Sequence, residues 1–327
     1  MRRTYFFIAL IIVSIIIIAG CGGGVEQAQP RRSVPGISAP SGISDSPGTA
    51  RVNEITFRGW KALELSNNLV TVVAVPEAGG RIMDYRIGDH SLLWINPAEV
   101  GTKYTAASEE SQRRFPDFGG IRVFPAPVEK WDGPADPVGS TLTSGNWTYE
   151  IVSRRGRKAE VRLTSPADAD NTGLQITREV RLYADSTHLQ IVNTFENIGE
   201  TPVNWSIKSE AKIPAQAGEE GSTRAYLPLN PDSSFNGAFM YLTDTGKQQF
   251  APLTDGSLLE VTYQDDSGAI AADSMAGWAA SVVADDDYSL VQRFSPNPIE
   301  DYPNDGSTVT ITTSAGDSNV ALAIASP

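Results

Sequence analysis

Residues 174–183 alternate between apolar and polar side chains, with an interruption at Arg178, and this pattern limits the fold more than any other feature of the sequence. The even-numbered positions carry leucine, isoleucine or valine, apart from Arg178, and the odd-numbered positions up to 181 carry polar residues. A period of two is typical of a β-strand that buries one face. Arg178 would lie on the buried face, where an unpaired guanidinium is costly. The sequence therefore predicts a carboxylate or a cleft beside Arg178, or else a position at the sheet edge with the charged head in water.

Similar segments recur along the chain. They are separated by turn sequences such as 170–173 and 265–268, which begin with aspartate and end in glycine. The best helix candidate, residues 106–114, is polar on all sides, and no other window has a convincing helical period. We therefore predict an all-β fold with two large packed sheets. The other predicted strands are residues 70–75, 81–87, 147–153, 160–165, 188–197, 203–213, 258–263, 279–284, 289–294, 307–313 and 319–325.

The first twenty residues are typical of a signal peptide rather than of a folded domain. Two arginines come first, residues 5–18 form an apolar run, and Ala19 and Gly20 precede Cys21, the only cysteine of the chain. This run is shorter than the roughly twenty residues that a membrane-spanning helix needs. The arrangement resembles a bacterial lipoprotein signal peptide. That resemblance implies cleavage before Cys21 and attachment of diacylglycerol to its sulfur, with an acyl chain such as palmitate on the new amine.

Residues 21–53 are rich in glycine, serine, proline and alanine, which predicts a flexible linker between a lipid anchor and the next domain. Gly22 resembles the residue found there in lipoproteins sent to the outer membrane, so in a Gram-negative envelope we expect the protein to face the periplasm. The remaining stretch, 54–327, contains no second linker. Its length of roughly 270 residues suits one large β domain.

Composition excludes several classes of function. The chain has 39 acidic and 26 basic residues, so a nucleic-acid surface is not expected. The two histidines, His90 and His188, have no second ligand at metal-binding spacing, and we predict neither a metal nor a cofactor. The aspartate runs 265–266 and 285–287 could offer oxygen ligands to calcium, but such runs are more often solvated hairpin loops.

Two glycine pairs are each followed closely by an arginine. Arg81 follows Gly79 and Gly80, and Arg122 comes two residues after Gly120. Because glycine allows close approach of backbone or ligand, these arginines could point into a cleft. The alternative is two ordinary hairpin turns with surface arginines.

Several short motifs follow one another along the chain. They are GGRI at 79–82, LLWIN at 92–96, FGGIRVFPAP at 118–127, N-x-G-x-x-P-V at 197–203 and DYPNDG at 301–306. Their order resembles the galactose mutarotase-like proteins, a β-supersandwich group that includes aldose 1-epimerases and hexose-phosphate epimerases. The resemblance covers residues 57–325 and is greatest to uncharacterised bacterial members. It implies an open concave sheet face that holds a sugar, lined by arginine, aromatic and carboxylate side chains.

The resemblance also implies roles for single residues. Asn96 would contact a sugar hydroxyl, and residues 119–125 would lie beside the substrate. Phe118 stands where hexose-phosphate epimerases carry an arginine for the phosphate, which argues against a sugar-phosphate ligand.

Catalysis is where this chain departs most from the family pattern. Mutarotation needs a base and an acid, and the family uses a glutamate and a histidine for them. The histidine position is Glu210 here. For the late glutamate the chain offers Glu300 and Asp301 in a loop, and only small apolar residues from Val320 onward. Neither catalytic position is clearly kept.

Other candidate site residues have two interpretations each. Lys208 and Glu210 would share a strand face and form a pair that points into the cleft, or belong to a solvated face. Trp131 and Trp205 suit stacking on a sugar ring, but tryptophan is also a common core residue. Trp131 has loop residues on both sides and is the better ligand candidate, whereas Trp205 alternates with apolar neighbours.

Three hypotheses for function follow. The first is a carbohydrate-binding module without turnover. The second is an aldose epimerase or a related carbohydrate-active enzyme in which Glu210 is the catalytic acid or base. The third is a structural or interaction role in the envelope. The predicted carbohydrate contacts are Arg81, Asn96, Arg122, Trp131 and Lys208.

Overall fold

The computed structural model describes residues 11–19, 48–104, 116–127, 141–218, 222–282, 288–298 and 302–326. The predicted all-β fold of packed antiparallel sheets is confirmed. Helical turns are short, namely α1 (Thr141–Ser144), α2 (Pro303–Gly306) and the 3-10 turns Pro76–Ala78, Pro97–Glu99 and Lys247–Gln249. The strands are β1 (Ile11–Ala19), β2 (Ala50–Phe57), β3 (Trp60–Ser66), β4 (Thr71–Val75), β5 (Arg81–Ile87), β6 (His90–Ser91), β7 (Ile121–Ala126), β8 (Thr148–Ser153), β9 (Arg155–Gly156), β10 (Lys158–Thr164), β11 (Leu174–Tyr183), β12 (Leu189–Asn197), β13 (Ser206–Pro214), β14 (Arg224–Pro228), β15 (Met240–Tyr241), β16 (Phe250–Pro252), β17 (Leu258–Thr262), β18 (Gly268–Ala272), β19 (Trp278–Val282), β20 (Tyr288–Arg293), β21 (Val309–Ser314) and β22 (Asn319–Ser326).

Two large sheets contain all of these strands. Sheet 1 has twelve strands in the order β15, β18, β21, β22, β13, β7, β5, β4, β3, β2 and β9, with β6 paired to β5. Sheet 2 has ten, in the order β16, β17, β14, β19, β20, β1, β12, β11, β10 and β8. The main hydrophobic core draws on both sheets.

Side-chain alternation decides which residues enter that core. In β11 every even-numbered position is buried, as the sequence predicts. In β13, Ile207, Ala211 and Ile213 join the core, so the even-numbered residues between them lie on the opposite, outer face of sheet 1. Those outer residues are Lys208, Glu210 and Lys212.

A second, smaller core covers part of the same outer face. Val73 and Val75 of β4 and Met83 of β5 pack there against Tyr104 and Phe118, which come from the connection between β6 and β7. The outer face is therefore closed over β3, β4 and β5. The charged residues of β7 and β13 begin where this cover ends.

The N-terminal part of the fold differs from expectation. The backbone of β1 lies between β12 and β20, antiparallel to both, although the sequence predicts a signal peptide over residues 1–20. Strand β2 begins at Ala50, a few residues before the predicted domain start at 54. No helix in the described part of the chain is long and apolar enough to span a membrane. The helix candidate at 106–114 lies outside the described residues.

Candidate functional site

Arg81 lies inside the protein and not in a cleft. Its side chain is 1% exposed. Nη1 donates a hydrogen bond of 3.0 Å to the carbonyl of Gly119, Nη2 donates one of 3.3 Å to the carbonyl of Thr143, and the ring of Phe118 lies 5.2 Å from the guanidinium carbon. Arg81 therefore does not face a cleft, as the sequence predicted it could. Its guanidinium instead binds the carbonyl of Gly119, which belongs to the second glycine pair, and that of Thr143, which packs closely on Gly79.

Arg178 reaches across from sheet 2 to the same region. It is fully buried, and its Nη1 donates to the carbonyls of Gly80 and Ile121 at 3.0 Å each. Its Nε donates to Oδ1 of Asn193 at 2.9 Å. Both alternatives predicted for Arg178, a carboxylate or cleft and a sheet edge, are wrong. Burial, followed by the positive charge of Arg81, lowers the pKa of Arg178.

Glycine is required at these turns for steric reasons. Gly120 has φ +68°, and a Cβ there would lie 2.3 Å from the carbonyl oxygen of Ile82. Gly79 has φ +69°, and its Cβ would lie 2.1 Å from the carbonyl oxygen of Thr143. No real Cβ contact is so short, so both turns exclude larger residues. The two glycine turns and the two buried arginines form one hydrogen-bonded unit beside the outer face.

Arg122 and Glu210 form an ion pair on that face. They are direct cross-strand partners in β7 and β13, and Nε of Arg122 donates to Oε1 of Glu210 at 2.8 Å. Their side chains are 12% and 13% exposed, so the pair is partly shielded from water. The ring of Phe124 lies 4.6 Å from the Arg122 guanidinium.

Two lysines on β13 extend the pair into a charged group. Lys212 forms an ion pair with Asp117, and its Nζ lies 5.5 Å from the ring centre of Trp94. Lys208 lies two residues before Glu210 on the same face. As predicted, Lys208 shares a strand face with Glu210 and its positive charge acts on that carboxylate, while the hydrogen bond of Glu210 goes to Arg122. We call the group the outer-face cluster; it comprises Trp94, Asp117, Arg122, Lys208, Glu210 and Lys212.

The cluster sets the charge of Glu210. Burial by itself raises the pKa of this carboxyl, but the positive charges of Arg122, Lys212 and Lys208, together with the Arg122 hydrogen bond, outweigh burial and lower the pKa to about 2. Glu210 is therefore a carboxylate at every physiological pH. In that form it accepts hydrogen bonds.

The C-terminal strand places no carboxylate beside Glu210. In β22, Ala323 is the direct cross-strand partner of Glu210, and Ala321 and Ala325 partner the two lysines. The resemblance stated above implies a second catalytic carboxylate late in the chain. Glu300 and Asp301, the candidates for it, lie outside the described residues.

Of the other predicted site residues, Asn96 and Trp205 form hydrogen bonds within the fold, and the rest lie outside the described residues. Asn96 caps the 3-10 turn Pro97–Glu99, since its Oδ1 accepts a hydrogen bond from the Ala98 amide at 3.0 Å. Trp205 is partly buried, and its Nε1 donates to the carbonyl of Thr172 at 2.9 Å. Trp131, Cys21 and the run 285–287 lie outside the described residues.

Among the residues that the structure describes, no three potential metal ligands come together. In the aspartate run 265–266, Oδ1 of Asp265 accepts hydrogen bonds from the Tyr263 hydroxyl and the Gly316 amide. These contacts belong to a turn.

Sequence reasoning missed three members of the cluster. Lys212 could have been found, because it continues the alternation that starts at Lys208 and Glu210. Trp94 and Asp117 could not, because only the fold of the connection between β6 and β7 brings them to β13.

Comparison with known proteins shows the fold. The structure resembles that of a proposed aldose 1-epimerase from Klebsiella pneumoniae, with a TM-score of 0.55, 15% sequence identity and coverage of 84% of this chain and 73% of that one. The fold is the galactose mutarotase-like β-sandwich. No protein-family model matches the sequence, and no curated protein matches it either.

Two further solved structures show weaker likenesses. A galactose mutarotase-like protein from Lactobacillus casei has a TM-score of 0.46 and 12% identity, with 81% of this chain and 99% of that one covered. A TPR-domain containing protein from Parabacteroides distasonis has a TM-score of 0.42 and 17% identity over 81% of this chain. The present chain spans 47% of the latter protein. In this mutarotase-like sandwich the outer-face cluster lies on β7, on β13 and on the connection between β6 and β7.

Proposed function

We propose that this is a lipid-anchored protein of the cell envelope that binds carbohydrate at the outer-face cluster without epimerising it. The observation that supports the proposal most directly is the ion pair between Arg122 and Glu210, which keeps the carboxylate ionised within a mutarotase-like fold. Binding needs a carboxylate that accepts hydrogen bonds, whereas turnover needs a group that transfers a proton.

The chemistry of the cluster suits a sugar. Carboxylate oxygens accept hydrogen bonds from hydroxyl groups, and arginine and lysine donate to hydroxyl and ring oxygens. Trp94 is partly exposed beside Lys212 and offers a flat apolar surface for the C–H face of a pyranose. Arg81 is not part of the proposed surface, because it is buried under Phe118.

The same geometry is poor for catalysis. An efficient acid or base has a pKa near the working pH, and the pKa of Glu210 is about 2. Its direct partner on β22 is Ala323, which carries no titratable group. The cluster therefore favours binding over mutarotation.

Anchoring at Cys21 is the second half of the proposal. The apolar run before Cys21 and the polar linker after it support a lipidated N-terminus, and Gly22 favours the outer membrane of a Gram-negative envelope. The linker would hold the sugar-binding face away from the lipid surface.

Saturation-transfer NMR against a panel of hexoses and short glycans tests the binding, and anomeric exchange is followed in the same samples. We expect saturable contact with at least one sugar and exchange at the rate of the buffer alone. Glu210→Gln should weaken that binding by about tenfold, since one charge-assisted hydrogen bond to a sugar hydroxyl and the orientation of Arg122 are lost.

Glu54→Gln is the matched control, because Glu54 forms an exposed ion pair with Arg154 far from the cluster in sequence. It should bind as the unaltered protein does. Accelerated anomeric exchange that disappears in Glu210→Gln would instead establish an epimerase. No saturable contact with any sugar of the panel would contradict both carbohydrate hypotheses and leave an interaction role in the envelope.

A further inference from the structure

A cavity of about 190 Å³ opens between the two sheets, on the other side of sheet 1 from the outer-face cluster. Its apolar walls include Leu92, Ile213 and Leu290, which belong to the main core. Ile213 points toward sheet 2, whereas its neighbour Lys212 points outward to the cluster. The cavity is thus separate from the proposed carbohydrate site.

One wall of the cavity carries an unused hydroxyl group. Ser281 of β19 is 1% exposed, and among the described residues its Oγ has no hydrogen-bond partner. The other buried hydroxyl of the lining, that of Thr223, accepts a hydrogen bond from the Gln216 amide at 2.9 Å. Leaving a buried hydroxyl unpaired is unfavourable, so a ligand that forms a hydrogen bond with Ser281 would bind more tightly than one that does not.

Two aromatic rings line the entrance. His90 and Tyr288 are both partly exposed, and their ring centres lie 5.1 Å apart with an angle of 32° between the planes. Such a pair offers a flat apolar surface to an incoming ring. The cavity thus combines an aromatic entrance, an apolar body and a single inner hydrogen-bonding group.

We propose that this cavity is a binding site for a small aromatic alcohol, with one ring and one hydroxyl group that bonds to Ser281. The size fits, since an apolar cavity of roughly 150 Å³ holds benzene, and 190 Å³ leaves room for a further polar substituent. The proposal does not depend on the carbohydrate proposal, because the two sites lie on opposite sides of sheet 1.

Fluorine NMR of the purified full-length chain, which retains β1 beside β20, tests the site by titration with para-fluorophenol and with fluorobenzene. We expect saturable binding of both, with the phenol tighter. Ser281→Ala should lower the ratio of the two affinities by roughly fivefold, the value of one neutral hydrogen bond. Ala215→Phe adds a ring inside the cavity and should weaken both ligands by more than about tenfold.

Ala251→Phe is the matched control, because Ala251 is exposed on β16 and should leave both affinities unchanged. Glu210→Gln should also leave them unchanged, which separates this site from the outer-face cluster. The proposal is overturned by a folded wild-type protein that shows no saturable binding, or by a folded Ala215→Phe variant that binds normally. If Ala215→Phe does not fold, an unchanged affinity ratio in Ser281→Ala overturns it.

Discussion

Three arginines show how surroundings decide what one side chain does. Arg81 and Arg178 are buried and donate to backbone carbonyls of the two glycine turns. Arg122 instead pairs with a carboxylate on the outer face. A guanidinium has five N–H donors in one plane, so it can bridge several carbonyls or grip one carboxylate. An arginine near a glycine pair therefore has two possible roles, and only its contacts distinguish them.

The low pKa of Glu210 makes the stability of the protein depend on pH. Its folded pKa is about 2, against 4.5 for the unperturbed carboxyl, so the ion pair contributes fully above pH 4.5. As the pH falls from 4.5 toward 2, the unfolded state takes up a proton first and roughly 3 kcal/mol is lost. We expect the difference in free energy of unfolding between the wild type and Glu210→Gln to shrink by about that amount across this window.

Urea unfolding at several pH values measures this difference. Glu54→Gln again serves as control, because Glu54 is exposed and its pair with Arg154 is accessible to solvent. A difference between wild type and Glu210→Gln that stays constant from pH 6 to pH 2 would show that Arg122 does not hold the carboxylate ionised.

At the scale of single elements, a strand could be predicted wherever apolar and polar residues alternate regularly along the sequence. Strand β11 and the polar face of β13 follow from period two alone. Strands β3 and β18 were missed for physical reasons. Strand β3 reads WKALELS, which is rich in good helix formers, and β18 reads GAIAA, which is buried throughout and mostly lacks β-branched residues.

The partners of Arg178 could not be predicted from its own strand. The carbonyls that it binds belong to Gly80 and Ile121, which are 98 and 57 residues away in sequence. A local pattern indicates that a buried guanidinium needs acceptors, but only the packing of one sheet on the other supplies them. The same holds for Asp117 in the outer-face cluster.

Gly120 contacts the backbone of two segments, Ile82 in β5 and Trp94 in the connection between β6 and β7. Its replacement should disrupt both contacts. In Gly120→Ala the new Cβ would meet the Ile82 carbonyl at 2.3 Å, in a turn where φ is +68°. The amide of Gly120 donates to the Trp94 carbonyl at 2.8 Å, so the backbone is not free to move away. We expect a loss of at least about 3 kcal/mol in the free energy of unfolding, measured in urea.

Gly88→Ala provides the comparison for that loss. Gly88 also has positive φ, +56°, but a Cβ there meets no atom within 4 Å. It should cost only about 1–2 kcal/mol, the value of the left-handed conformation. Equal losses in the two variants would mean that close backbone packing at Gly120 does not matter to the fold.

At the scale of the whole molecule, the N-terminus has two competing assignments. The sequence of residues 1–20 is typical of a signal peptide that is removed before Cys21. In the structure the backbone of β1 pairs with Leu189–Asn193 of β12 and with Tyr288–Arg293 of β20. If cleavage occurs, sheet 2 loses a central strand. The backbone N–H and C=O groups of β12 and β20 that bond to β1 then need other hydrogen-bond partners.

We expect the mature protein to begin at a lipidated Cys21, and β12 to pair directly with β20 once β1 is gone. Intact-mass measurement on protein extracted from membranes should give the acylated chain without its first twenty residues. Hydrogen exchange on a chain of residues 48–327 should show protected amides in β12 and β20, as in the full-length chain. Two unpaired inner strands would leave several buried N–H and C=O groups without partners, at about 1–3 kcal/mol each, so closing the gap is strongly favoured. A membrane-extracted protein that retains Met1, or a shortened chain whose β12 and β20 amides exchange freely, would instead make β1 an integral strand of sheet 2.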